Sequence, residues 1–342
     1  MHDAKPAIAP PHDEDDDAPW RAPVRGGHPD AALAARPGIE FLRAMLAGHT
    51  PAPPLSHLTG MHPVALTAEG AQFAMPLSPW LCGEDGRIPL GVLSIPADAA
   101  MAFAIIADLP EGTSITTSEL ALRQVRPALP GGTLVTTAQV IHFGPPTPTV
   151  ALAEVTVADD TGALIARGGS LCVTLPFSAD ADPAGKVAAG GDDAGGAEAR
   201  AADADGRDPW QRAAPDAGLD RLTGLNARAV GPGEAIFALP ATRWLCAPPP
   251  GRVQGGAVAM LAGAAIDAAM QTAAPPGHRF TTLELKLNYL RPLASDGREA
   301  TAHATVVHSG RRTAVARADV TDADGRTIAV ASGSAIVDPI AS

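Results

Sequence analysis

One segment of this 342-residue chain suggests a reaction surface by its residue types alone: Val253-Gln254-Gly255-Gly256. It opens a long Ala-rich apolar stretch with no interior proline, Gly255 to Thr272, which reads as a helix. First-turn N–H groups of a helix have no helical acceptor and sit at the positive end of its dipole. Glycines there let another group approach the backbone, so this start can polarise a carbonyl or hold an oxyanion. Tight packing of the helix start against a neighbouring element would use the same glycines, and residue types alone leave both readings open. Other chemistry-bearing residues are sparse. Cys82, Cys172 and Cys246 form no C-x-x-C spacing and read as buried free thiols, as expected in a reducing cytoplasm. His142 and His308 fall at matching strand ends, with nothing nearby in sequence to complete a metal set.

The elements that would position this helix occur twice. Leu58-Thr59-Gly60 returns as Leu222-Thr223-Gly224, and Trp80-Leu81-Cys82 as Trp244-Leu245-Cys246, each 164 residues on. Gly86-Arg87 and Arg126-Pro127 return 165 residues on as Gly251-Arg252 and Arg291-Pro292. A near-constant shift means duplication of a whole domain. Each copy has a short strand (Gly70–Leu77; Glu234–Leu239), the Trp-Leu-Cys segment as core packing, and one long apolar helix. In the first copy that helix covers Leu90 to Ala107, with an interruption expected at Pro96. Four strands follow. Leu283, Leu285, Leu287 and Tyr289 alternate with Glu284, Lys286 and Asn288, and Leu120 and Leu122 alternate likewise with Glu119 and Arg123. Thr133–His142, Thr149–Ala158 and Leu164–Thr174 are matched by Ala300–His308, Thr313–Thr321 and Thr327–Val337. This is an α+β layout, in which an antiparallel sheet buries a single helix that is apolar nearly all round.

Residues 1–37 are acidic and Pro-rich and read as a disordered tail, before a short helix at Gly38 to Ala47. Residues 178–214 are Ala, Gly and Asp with few bulky side chains, and read as a flexible linker. The domains are therefore expected at 38–177 and 215–342. Net charge is −12, of which −8 falls in residues 1–38 and 178–216. The mildly acidic remainder argues against a nucleic-acid partner. No uninterrupted apolar run reaches the roughly 18 residues of a membrane span, and the N-terminus lacks the basic start and apolar core of a secretory signal.

Gly38-Ile39-Glu40-Phe41-Leu42-Arg43-Ala44-Met45-Leu46-Ala47-Gly48, the Q-G-G helix start, the strand Thr281-Thr282-Leu283-Glu284-Leu285-Lys286-Leu287-Asn288-Tyr289-Leu290-Arg291-Pro292 and the turn His308-Ser309-Gly310-Arg311-Arg312-Thr313-Ala314 together resemble the PaaI-type hotdog thioesterases. Ile115-Thr116-Thr117-Ser118-Glu119-Leu120 with Arg126-Pro127 marks the first copy as a more diverged relative. The resemblance implies two tandem hotdog domains paired within one chain, each a sheet wrapped round its helix. It also implies cleavage of acyl-CoA thioesters at the junction, without metal or cofactor. Relatives carry H-G-G at the helix start and an Asp nine residues after the His. In the second copy these positions are Gln254, Gly255, Gly256 and then Gly263. In the first copy they are Pro89-Leu90-Gly91 and then Asp98. The glycines survive in one copy and the carboxylate in the other, so the resemblance implies one composite site: Gly255 and Gly256 facing Asp98. Asp98 would act as base for water or as nucleophile, Thr117 would orient water, and Gln254 would bond the thioester oxygen or fix the loop. Arg311 and Arg312 would grip CoA phosphates.

Asp98 has a second reading, in which Pro96 restarts the helix, Ser94 caps it and Asp98 satisfies the dipole. Asp267, one turn beyond Gly263 on the same face, is a candidate displaced acid. Two other functions compete with hydrolysis. Loss of the His and of one Asp would suit a non-catalytic acyl-CoA or lipid-binding module. A hotdog hydratase or dehydratase would need D-x-x-x-x-H entering the helix, which neither copy has. The expected protein is cytoplasmic, with a homodimer of such paired chains open to it.

Overall fold

The computed structural model describes residues 17–67, 70–144, 150–177, 206–248 and 250–339. In chain order its helices are α1 (Ala31–Ala34), α2 (Gly38–Leu46), α3 (Pro54–Thr59), α4 (Leu90–Ala107), α5 (Leu219–Thr223) and α6 (Gly255–Thr272). The strands are β1 (His62–Thr67), β2 (Gly70–Pro76), β3 (Thr113–Gln124), β4 (Thr133–Gly144), β5 (Val150–Asp159) and β6 (Leu164–Pro176) in the first lobe. The second lobe has β7 (Asn226–Gly231), β8 (Glu234–Pro240), β9 (His278–Tyr289), β10 (Glu299–Ser309), β11 (Thr313–Thr321) and β12 (Thr327–Pro339). All twelve form one antiparallel sheet in the order β1-β2-β4-β5-β6-β3-β9-β12-β11-β10-β8-β7. The order reads as the same six-strand plan from either end, and the two copies meet where β3 pairs with β9. Each half wraps its long helix, α4 or α6, so both helices are buried on most sides. Among the described residues, α4 alone would pass for a membrane span by length and apolarity (mean hydropathy 1.9), and the fold encloses most of it in the core.

The structure departs from the sequence reading at three places. Edge strands β1 and β7 were not expected; Pro63 and a register shift break the alternation of β1, and another shift breaks β7. Secondly, α4 runs unbroken through Pro96. A mid-helix proline costs on the order of 3 kcal/mol, and burial of nearly every residue of α4 offsets it. Ser94 does not cap a new start; its hydroxyl donates back to the Leu90 carbonyl at 3.3 Å.

The third departure lies in the segments expected to be disordered. Residues 17–37 carry a 3-10 turn at Pro19–Arg21 and α1, and residues 206–214 carry a 3-10 turn at Pro209–Gln211. The remaining tail and linker residues lie outside the described ones. These two straps are exchanged. The Trp244 indole N–H of the second lobe donates to Ala22 O at 2.9 Å, and the Trp80 indole N–H of the first lobe donates to Arg212 O at 2.7 Å. Trp20 covers Gly224 and Trp210 covers Gly60, two glycines at φ +76° and +77°. Leu55 N–H reaches Cys246 O, and Leu219 N–H reaches Cys82 O. Average composition hid the two tryptophans that anchor the straps.

The two helices cross at glycine. A Cβ on Gly91 would stand 2.9 Å from Met260 Cα, and one on Gly256 would stand 2.5 Å from Ile95 Cα. Neither glycine has a positive φ, so it is space that excludes a side chain. Gly→Ala in an open helix gains up to about 1 kcal/mol. Gly91→Ala is expected to reverse that sign and cost roughly 1–3 kcal/mol in urea unfolding. Gly231→Ala, with open space around it, should stay within about 0.5 kcal/mol of the parent.

Candidate active site

The crossing brings the start of α6 against the middle of α4. Asp98, 6% exposed, points from α4 across the lobe boundary, and its Oδ2 accepts the Gly256 N–H at 3.2 Å. A Cβ on Gly255 would stand 3.0 Å from the same oxygen, so any side chain there would meet the carboxylate. From β3, the Thr117 hydroxyl donates to Asp98 Oδ1 at 3.4 Å. The Cys172 thiol of β6 lies 3.7 Å from the Thr117 oxygen and 3.6 Å from the Ser170 hydroxyl. Burial pushes the Cys172 thiol up to about 11, so it stays a thiol and is not a nucleophile.

Gln254 precedes α6 and ties it to the other lobe. Its side-chain Nε2 donates to Ile95 O at 2.9 Å. Ile95 and Asp98 are three residues apart, hence on one helix face. The Gln254 Oε1 is buried with no hydrogen-bond partner among the described residues. A buried acceptor of this kind calls for a donor from outside the protein. The Nε2 bond to Ile95 O ties the residue before α6 to the backbone of α4. Tyr289, at the end of β9, donates its hydroxyl to Gly255 O at 2.8 Å. Its alternation with Leu285 and Leu287 places it on the inward face and it is the chain's sole tyrosine, but the sequence carries no signal of this contact.

Burial dominates the electrostatics. It raises the Asp98 carboxyl to about 6, against the opposing pull of the Gly256 N–H and the Thr117 hydroxyl. A carboxylate poised there holds its charge at neutral pH and still has enough basicity to take a proton from water.

The opposite junction is built differently. At the position equivalent to Asp98, Gly263 lies against Gly91; a Cβ on it would stand 3.3 Å from Gly91 Cα. Asp267 accepts the Thr282 hydroxyl at 2.5 Å, and burial, with Asp85 adding to it, raises its carboxyl to about 6. Thr282 is the repeat counterpart of Thr117, so a carboxylate–threonine pair exists here too, one turn along. Arg311 and Arg312 are exposed on the β10–β11 turn, where Ser309 donates to Ala273 O just past the end of α6. That is the far end of a helix roughly 27 Å long, so the structure does not bring them to Gly255. His142 and His308 are exposed at their strand ends, and all three cysteines are free and buried.

Residues 251–329 match the thioesterase superfamily. No curated protein matches in sequence. Among solved structures, the tesB protein of Mycobacterium avium subs paratuberculosis aligns with TM-score 0.54 at 11% identity, over 84% of this chain and 98% of that one. The acyl-CoA thioesterase II TesB2 of Mycobacterium marinum aligns with TM-score 0.51 at 10% identity, over 84% of this chain and 99% of that one. The fold is a tandem hotdog. A variant of the phenylacetic acid degradation protein PaaI of Thermus thermophilus aligns at 29% identity over 34% of this chain and 96% of that one, with TM-score 0.32.

A carboxyl raised by folding costs stability once it ionises. Between its ordinary value of 3.8 and about 6, the folded state binds more protons than the unfolded one, so stability falls as pH rises through that window. Asp98→Asn keeps an acceptor for Gly256 and cannot ionise. It is expected to match the parent near pH 4 and to exceed it by roughly 1–3 kcal/mol at pH 7–8, read from denaturation midpoints across pH.

Proposed function

We propose that the protein hydrolyses acyl-CoA thioesters to the free acid and CoA at the single junction where the first lobe's carboxylate meets the second lobe's helix start. The observation that carries this reading is the Asp98 Oδ2 resting on the Gly256 N–H across the lobe boundary. The thioester carbonyl oxygen is taken by the N–H groups at the start of α6, which stabilise the charge that develops on it. Taking the Gly256 N–H away from Asp98 removes one of the two donors that hold the carboxyl down. Substrate binding thus makes Asp98 a stronger base as it is needed. In this reading Asp98 is the base for the attacking water and the unpartnered Gln254 Oε1 is the acceptor that steadies it, with Thr117 keeping the carboxylate in its rotamer. As water attacks, Asp98 takes its proton and a tetrahedral intermediate forms; the intermediate collapses by breaking the C–S bond, and the proton on Asp98 passes to the departing thiolate, releasing the acid and the CoA thiol.

Three free buried cysteines support a reducing, cytoplasmic setting. The PaaI-type assignment rests on the helix-start and strand motifs. One chain supplies both halves of the site, so a homodimer of such chains would add no residue to it.

A second reading of the acid is favoured by one observation, the Asp267–Thr282 pair at the other junction. A thiol-release assay over straight-chain and aromatic acyl-CoAs separates the readings. Asp98→Asn is expected to lower kcat at least 100-fold with the fold intact, Asp267→Asn to change it less than threefold, and the parent's kcat/KM to fall below about pH 6. The reverse pattern moves catalysis to the opposite junction. Acyl-CoA binding without thiol release in the parent identifies a binding module.

A further inference from the structure

The Tyr289 hydroxyl and the Asp98 carboxylate hold opposite ends of one peptide group. Tyr289 donates to the carbonyl of Gly255 at 2.8 Å, and the N–H of Gly256, which belongs to the same rigid amide plane, donates to Asp98 Oδ2 at 3.2 Å. Donation to an amide oxygen draws electron density through the resonant C–N bond and makes its N–H a stronger donor. The carbonyl of the first helical residue would otherwise have only its helical partner to fix it, on a stretch whose two glycines restrain the backbone least.

We propose that Tyr289 is a positioning residue for thioester hydrolysis, aiming and polarising the Gly255–Gly256 peptide so that its N–H serves first the Asp98 carboxylate and then the substrate oxygen. The inference rests on the hydrolytic role of Asp98. The two-fold repeat supplies a control within the chain. The position equivalent to Tyr289 in the first copy is Gln124, whose side-chain amide donates to Arg126 O at 3.1 Å rather than to a helix start. The hotdog therefore folds without a hydroxyl there, and the chain has its only tyrosine at the junction that also holds Asp98. The titratable groups facing Asp98 are Tyr289 from β9 and Cys172 from β6. Burial first, and Asp98 second, keep the phenol well above its ordinary value, so it remains a donor throughout the working range. The other elements packed on the carboxylate offer Thr117 from β3 and the peptide itself from α6, neither of which titrates there.

Tyr289→Phe removes the hydroxyl and keeps the ring. The expected result is a roughly tenfold lower kcat with KM changed less than threefold, and an acid limb of kcat/KM moved upward by half a pH unit or more. The limb moves because the weakened Gly256 N–H no longer holds the Asp98 carboxyl down as far. An intact fold with kcat and the acid limb both unmoved would overturn the proposal. A second measurement needs no turnover. The Gly256 amide proton resonance reports this one peptide, and Tyr289→Phe should move it upfield as its hydrogen bond to Asp98 weakens, whereas an unmoved resonance would separate the hydroxyl from the peptide and sink the idea. If the parent releases no thiol but Tyr289→Phe moves the Gly256 amide resonance, the hydrolytic reading fails while the peptide clamp stands.

Discussion

The site depends on two helix backbones approaching until only glycine fits between them. Gly256 lies on Ser94 and Ile95 of α4, and Gly91 lies on Ala259 and Met260 of α6, in matching positions of the repeat. Close approach of this kind forfeits side-chain burial at the contact, and its return is geometric. It sets the first peptide of α6 beside the carboxylate of Asp98, with no intervening side chain. The same approach occurs at both junctions, but a carboxylate reaches a helix-start amide only at the first.

The lobes are fixed to each other well enough for that contact to persist. β3 and β9 pair antiparallel over Glu119–Arg123 and Glu284–Asn288, making one sheet of two domains. Arg123 meets Glu284 at 2.8 Å and Lys286 meets Glu119 at 3.0 Å across this joint. Exposed pairs contribute little to stability, and their opposite-sign placement disfavours a slipped register. The exchanged straps add contacts of a different kind. His57 of α3 lies 2.8 Å from Asp208 in the strap that precedes the second lobe, and each buried Trp indole is satisfied only by the strap that crosses to it. Separating the lobes would leave those N–H groups unpaired.

The sequence made the duplication, the long helices and most strands legible because each has a strong periodic signal: Leu285, Leu287 and Tyr289 alternate, and the Trp-Leu-Cys segments recur at fixed spacing. Edge strands β1 and β7 were hidden because their alternation is broken by register shifts. Pro96 was misread because local propensity argues against a helix there, while the burial that overrides it is a tertiary quantity. The straps were missed because windows averaged over Asp, Ala and Gly dilute one tryptophan each. In the site, the reciprocal loss of Asp and glycine pointed across the lobes to Asp98 and Gly256, which the structure places in contact. Tyr289 was invisible because its role depends on which carbonyl its hydroxyl meets, and strand pattern gives only the face it occupies.

Duplication explains why the two junctions differ. In a symmetric pair each helix start packs against its partner, and on the proposed reading it also serves the chemistry while each helix carries the acid for the other. Once both copies lie in one chain, either junction is free to relax. At the second, Gly263 has let α4 and α6 close against Gly91, and the remaining acid, Asp267, has its threonine partner one turn away from the equivalent of Asp98. A turn is about 5.4 Å, more than a water-bridged contact tolerates without loss of alignment. A buried carboxylate that touches no helix-start amide retains the desolvation cost without the donor that offsets it. At the first junction that donor is present, it crosses between lobes, and Tyr289 grips it from behind. The asymmetry thus lies in the donor: Asp98 is held by a helix-start amide that glycine leaves open, and Asp267 by a threonine hydroxyl.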